Sequence, residues 1–322
     1  MSILSLRPGL FRLILATLVV LSHMTPFEIG RPAVFAFFVL SGYWVTRMYA
    51  EKYQPHGGVG VFYLSRFLRI WLPFCAAYML ALLANSMFSE IRPAFLLWGL
   101  PLFGIASTGR DVLGTSWSLD IEMQFYLAVP LLLLVLGMQL RTGTLAIGVA
   151  LLCVLGWFLQ LRYGLWTFLS YLPAFVVGAL IWSRDYIPSH KMALGGVVLF
   201  LVVGIVVWTI PETHPLLRRD IESPIHEDWF GMVWVACLIP FIAHNVRQMS
   251  GHWDMHFGNY SYALYITHWP VIALMRETMN PLSIAERLFI LSLVMVVSVT
   301  FYALIDRTLE RIRAQILRGL IV

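Results

Sequence analysis

Ten mostly apolar runs, each nearly long enough to cross a hydrocarbon core, recur along the chain at roughly 9–26, 32–50, 67–88, 121–139, 143–160, 166–183, 191–210, 229–245, 258–275 and 286–305. About 20 apolar residues of helix cover a core about 30 Å thick. In lipid, a spanning segment must satisfy its backbone groups internally, so each run reads as a helix. Composition agrees: 60% of the residues are hydrophobic and 12% charged, where soluble domains carry about 25% charged residues. The expected fold is an all-α polytopic membrane protein of about ten transmembrane helices. The stretch 94–107, preceded by Pro93 and broken by Gly99, Pro101 and Gly104, is too short and interrupted for a span. It reads as re-entrant or interfacial. Residues 1–305 form one membrane domain, and 306–322, DRTLERIRAQILRGLIV, read as a basic amphipathic tail on an anionic leaflet.

Charge gives the chain a direction. With ten spans, one side of the membrane collects most of the 22 basic residues, among them Arg7, Arg12, Arg47, Arg66, Arg69 and Arg313. The positive-inside bias therefore puts both termini in the cytoplasm. The same bias accounts for the net charge of +5, which implies no nucleic-acid partner. Pro26 and Glu28 follow the first apolar run in place of a small-residue cleavage site, so no signal peptide is expected. Cys75, Cys153 and Cys237 lie inside apolar runs with no metal-ligand spacing, and read as packing residues with no metal site.

Two ionisable residues interrupt the first run, Arg12 and His23 in FRLILATLVVLSHM. Charge at membrane depth is costly and marks either function or a tightly paired structural site. Eleven residues at about 100° each bring both side chains to one helix face, roughly 16 Å apart along the axis. Arg12 falls near the cytoplasmic end and His23 near the outer end. His23 is either a general base or a packing histidine bonded to a carbonyl. Arg66 and Arg69, in YLSRFLRIWLPF, share a helical turn at the mouth of the third span. They suit an anionic phosphate ligand, although basic pairs at span ends are commonly topological anchors.

In GTSWSLDIEMQFYLAVP, Ser116 or Ser118 suits a helix cap and Asp120 suits the first turn, while Glu122 lies deeper, next to Phe125 and Tyr126. Glu122 either orients a histidine or pairs with an arginine. In GNYSYALYITHWPVI, Tyr265 and His268 are neighbours three residues apart, beside aromatic residues that suit the membrane interface. Ser41 and Gly42, in FAFFVLSGYWV, suit close helix contact. The polar outer loop 211–228 reads as solvated.

These segments, in this order, resemble the acyltransferase-3 family of polytopic bacterial enzymes that O-acylate sugars and related hydroxyl acceptors. The resemblance rests on Arg12 and His23 with ten residues between them, FFVLSG at 37–42, SRFLRI with Arg66 and Arg69, SWSLDIEMQFY at 116–126, and SYALYITHWP at 261–270. It departs from the family in its RPGLFR lead-in and in Asp306, an aspartate where glutamate is usual. It implies an acyl-coenzyme A donor, most often acetyl-CoA. Arg12, Arg66 and Arg69 would hold the donor. His23 would act as base, with Glu122 aligning it, and Ser118, Tyr126, Tyr265 and His268 would touch substrate or support those that do. The acceptor would be a cell-envelope glycan such as O-antigen (lipopolysaccharide), exopolysaccharide or peptidoglycan, in the bacterial inner membrane. With the sequence stopping after the tenth span, a stand-alone member without an SGNH domain is expected. A transporter or flippase for a lipid-linked sugar or small anion is the rival reading, since intramembrane Arg and His serve such paths too.

Overall fold

The computed structural model describes residues 6–56, 58–86, 99–109, 111–223, 225–278 and 283–320. Every one of the ten apolar runs is helical within the described residues. The principal elements are α1 (Pro8–Met24), α2 (Gly30–Met48), α3 (Gly58–Ser86), α4 (Ile105–Thr108), α5 (Ser116–Gly137), α6 (Thr142–Tyr163) and α7 (Leu172–Ser183). They continue with α8 (His190–Thr209), α9 (Glu227–Ala236), α10 (Ile239–Asn245), α11 (His252–Thr278), α12 (Ile284–Phe301) and α13 (Arg307–Arg318).

Six helical stretches are long and apolar enough to cross a membrane: Gly30–His56, Gly58–Ser86, Ser116–Gly137, Thr142–Tyr163, His190–Thr209 and Ile284–Arg318. The chain is thus a polytopic, all-helical membrane protein. The other four runs depart from that standard for visible reasons. The first, α1, has only 17 residues, and α7 has 12 after a 3-10 turn at Phe168–Tyr171. The run 229–245 is split into α9 and α10 ahead of Pro240, which has no N–H to continue a ladder. The long helix α11 has 27 residues but carries Asp254, Asn259, His268 and Arg276. Of the segment expected to be re-entrant, 94–98 lies outside the described residues. The rest is a turn with Leu102 at φ 68° followed by the one-turn α4.

Burial ranks the helices. In the most apolar stretch of Gly30–His56, 67% of the residues are inside the protein, whereas in α6 and α8 the figure is 17%. So α2 is the central post, and α6 and α8 present Leu151, Val154, Leu161, Val198, Leu201 and Ile205 outward. Such surfaces suit lipid and would be a liability in water. The α2–α7 contact is backbone on backbone: a Cβ on Gly42 would fall 2.0 Å from the Phe175 carbonyl oxygen, and one on Gly178 2.0 Å from that of Val39. Small residues let the helices close, as the Ser41–Gly42 pattern predicts. Phe175 then stacks on both Phe38 and Phe125, with ring centres 4.7 and 4.1 Å apart. At the far end of the chain, α12 passes through a π-turn, Tyr302–Asp306, into α13, where Arg313 donates to the Ser65 hydroxyl of α3 at 3.0 Å.

Candidate active site

The two ends of α1 are pinned by opposite charges. At its start, the buried Asp254 carboxylate on α11 accepts the N–H groups of Gly9 at 3.0 Å and Leu10 at 2.9 Å. That satisfies two orphan donors and places negative charge at the positive end of the helix. At its finish, three guanidiniums donate to three successive carbonyls. Arg219 reaches Ser22 at 3.1 Å, Arg276 reaches His23 at 2.6 Å and Arg287 reaches Met24 at 2.7 Å. Orphan acceptors and the negative end of the dipole are matched with cations.

Around the first end lies a cavity of about 480 Å³ walled by α1, α2, α3, α5 and α11. Arg12, Arg66, Arg69, Glu122, Tyr126, Ser118 and Tyr265 all line it. Glu122 accepts hydrogen bonds at one oxygen from the hydroxyls of Ser41 and, at 2.6 Å, of Tyr126 one turn along α5. Arg69 is matched by acids: it lies 3.4 Å from Asp306 and 3.5 Å from Glu310, and donates to Asn259 at 3.3 Å. Arg12 and Arg66 differ. Among the described residues neither has a carboxylate within ion-pair distance, and the buried Nε of Arg66 has no partner. Arg12 instead rests against the Trp44 ring, 5.9 Å from its centre. Two guanidiniums held in a cavity without an ion-pair contact are expensive, and an anion that fills the cavity relieves the cost.

Tyr265 joins the cavity wall to the groups at the second end of α1. The Tyr265 hydroxyl is paired with Ser118 at 2.6 Å, and His268 follows one turn further along α11. His268 is fully buried, its ring centre 5.3 Å from that of His23 and 6.0 Å from that of Tyr265. Trp269 stands 4.8 Å from His23. Gly114, at φ +65°, backs Trp269 so closely that a Cβ there would sit 2.2 Å from the indole. Behind His23 the loop 25–29 and the loop 218–219 are stitched together. Glu28 N–H donates to the Leu217 carbonyl at 2.8 Å and Arg219 N–H to that of Pro26 at 2.9 Å. The Arg219 Nε then meets Glu28 at 2.8 Å, while its Nη1 donates to His23 Nδ1 at 2.9 Å. Burial pushes the Glu28 carboxyl up, against the opposing pull of Arg219 and Arg31.

The residues singled out by sequence thus fall into two groups. Seven of them share the cavity, and His23 and His268 pair beyond it. The expected alignment of His23 by Glu122 has no counterpart, because Glu122 bonds to Ser41 and Tyr126 and His23 bonds to Arg219. Neither serine caps α5: the Asp111 carboxylate does, accepting Ser116 N–H at 2.7 Å and its hydroxyl at 2.5 Å. Burial raises the Asp111 carboxyl, against these bonds. The loop 211–228, expected to be solvated, instead buries Leu216 and Leu217 and delivers Arg219 to His23. The adjacent Leu216–Leu217 pair in that polar loop was the signal available for this docking.

Residues 7–303 match a family described as an acyltransferase domain. Nodulation protein 10 of Rhizobium leguminosarum bv. viciae is 23% identical over 275 residues, which cover 74% of this chain and 72% of that protein. No solved structure matches the chain.

Proposed function

The chain belongs to the acyltransferase-domain family over residues 7–303 and is a multi-pass membrane acyltransferase; from that premise we propose that it moves an acyl group, acetyl in the first instance, from acyl-coenzyme A to a hydroxyl of a cell-envelope carbohydrate. The observation that carries this reading is the cavity, lined at one end by two guanidiniums with no ion-pair partner among the described residues, with a histidine pair beyond Tyr265. Phosphates are the natural counter-ions for Arg12 and Arg66, with Arg69 available if it exchanges its acids for ligand. The extended pantetheine arm suits a passage lined by Phe37, Phe38 and Val34. It would carry the thioester towards Tyr265 and the histidines, where a hydroxyl loses its proton as it attacks the carbonyl carbon. The bacterial inner membrane, with both termini cytoplasmic, is the setting in which the donor enters at the arginines and the glycan at the histidines. The basic tail from 306 onward would then lie at the cytoplasmic face, beside the donor entrance. The family match gives no support to the rival transport reading.

The test is direct. Purified protein in lipid, given radiolabelled acetyl-CoA and a lipopolysaccharide or peptidoglycan fraction, should label the glycan with an alkali-labile ester. Absence of label from both fractions, with a folded protein, would sink the carbohydrate acceptor.

A further inference from the structure

We propose that the base in this transfer is His268, and that His23 serves beside it as a hydrogen-bond donor. The inference rests on the acyltransferase reading and asks which of the two imidazoles can take a proton. Hydrogen-bond chemistry decides between them. A guanidinium can only donate, so the Arg219 Nη1 contact at 2.9 Å requires His23 Nδ1 to offer its lone pair. The neutral ring therefore carries its proton on Nε2 and has no further lone pair to offer. Arg219 is itself held by Glu28 at 2.8 Å and by the Ser22 carbonyl at 3.1 Å, so the arrangement is fixed from behind. Taking up a proton at Nδ1 would set two cations face to face.

His268 is arranged the other way round. Its Nδ1 faces two carbonyl oxygens of its own helix, Tyr265 at 2.8 Å and Leu264 at 3.2 Å. Carbonyls only accept, so Nδ1 carries the proton and Nε2 holds the lone pair. That Nε2 is buried with no partner among the described residues, in a side chain with no exposed surface. A buried, unsatisfied acceptor costs stability and calls for a function. It lies one helical turn beyond the Tyr265 that lines the cavity.

The step balances within these groups and the two substrates. The acceptor hydroxyl gives its proton to His268 Nε2 as its oxygen bonds to the thioester carbonyl carbon. The His23 Nε2–H donates to the carbonyl oxygen as charge develops there. The tetrahedral intermediate collapses, the carbon–sulfur bond breaks, and the thiolate of coenzyme A recovers the proton from His268. The products are the ester and the free thiol, and both imidazoles return neutral.

His268→Asn tests the assignment. The asparagine amide keeps a donor for the Tyr265 carbonyl but has no imidazole Nε2. General-base catalysis is worth roughly 10²–10⁴-fold. Transfer from acetyl-CoA to the glycan fraction should therefore fall by about 100-fold or more. Hydroxylamine is already nucleophilic at neutral pH, so enzyme-dependent formation of acetohydroxamate by the same variant should stay within about threefold of wild type. Retention of glycan transfer within tenfold would overturn the proposal. So would loss of glycan and hydroxylamine transfer together, which would make His268 a shaping residue. A wild type that acylates neither acceptor would instead remove the acyltransferase reading, a result distinct from either variant outcome.

Discussion

The two ends of α1 solve the problem of polar groups at membrane depth in contrasting ways. Around Arg12 the charges are permanent and partly unmatched: Arg12 and Arg66 have no acid within ion-pair distance among the described residues, while Arg69 is held by Asp306 and Glu310. Around His23 the reactive groups are imidazoles whose ring nitrogens are assigned by neighbours, Arg219 on one and two carbonyls on the other. The first end is built to wait for a counter-ion, the second to hold protons at named atoms. In the proposed reading, binding and chemistry are therefore separated along one helix by about 16 Å, and substitutions at the two ends should act on different kinetic constants.

The largest expected effect breaks the molecule at the Arg12 end. Hydrogen bonds to charged groups contribute about 1.5–3 kcal/mol each, so Arg12→Ala combined with Arg66→Ala should weaken acyl-CoA binding by roughly 100-fold or more. His23→Gln should leave that affinity within about threefold. Calorimetry on protein in detergent or nanodiscs measures both. Equal losses from the two variants would abolish the division between the ends.

Within the Arg12 end, the second effect separates one arginine from another. Arg69 already spends its charge on Asp306 and Glu310, so a ligand must compete for it. Arg69→Gln should therefore cost less donor affinity than Arg66→Gln, about fivefold against tenfold or more by the same charge-assisted scale. The reverse order would mean that the acids release Arg69 when donor arrives.

Much of the first end was legible in the chain. Charge in an apolar run is conspicuous, and the spacings of Arg12 and of the Arg66–Arg69 pair put them at the mouths of helices that meet at one cavity. Tyr126 lies four residues beyond Glu122, so their hydrogen bond was available from helical periodicity as well. The second end was half legible. His23 and His268 were visible as polar residues in spans, and the carbonyls that fix the His268 tautomer lie one turn back on its own helix, but the tautomer of His23 depends on Arg219, in a loop almost 200 residues away in sequence. The Leu216–Leu217 pair hints that this loop docks, but not where: its buried place and the Glu28–Leu217 backbone bond are set by tertiary packing. Glu122 misled for a related reason: its hydroxyl partner on α2, Ser41, is set by the α2–α5 packing, which periodicity does not reveal.

The third prediction sharpens the His23 end. Arg219→Gln removes the guanidinium that fixes His23 Nδ1 as an acceptor. The imidazole is then free to rotate or to exchange tautomers, and the orientation of its Nε2–H is lost. The rate at saturating donor should fall about tenfold, by analogy with the roughly 10–100-fold loss on removing a partner that orients a metal-bound histidine. The Michaelis constant for acyl-CoA should not move. A raised Michaelis constant with an unchanged rate would return Arg219 to the role of a helix cap.

The smallest expected effect concerns the cap at the opposite end, and its sign matters more than its size. Asp254→Asn keeps one oxygen for the N–H groups of Gly9 and Leu10 but removes the negative charge from the helix N-terminus. The loss should be about 1 kcal/mol of stability, read as an earlier thermal unfolding midpoint in detergent. Asp254 also lines the cavity that holds Arg12, and deleting an acid there makes the cavity more attractive to an anion. Donor binding should therefore tighten slightly or hold steady while the fold weakens. If binding weakened in step with stability, the position of α1 rather than the charge around Arg12 would govern the donor site, and the contrast between the two ends would lose its electrostatic basis.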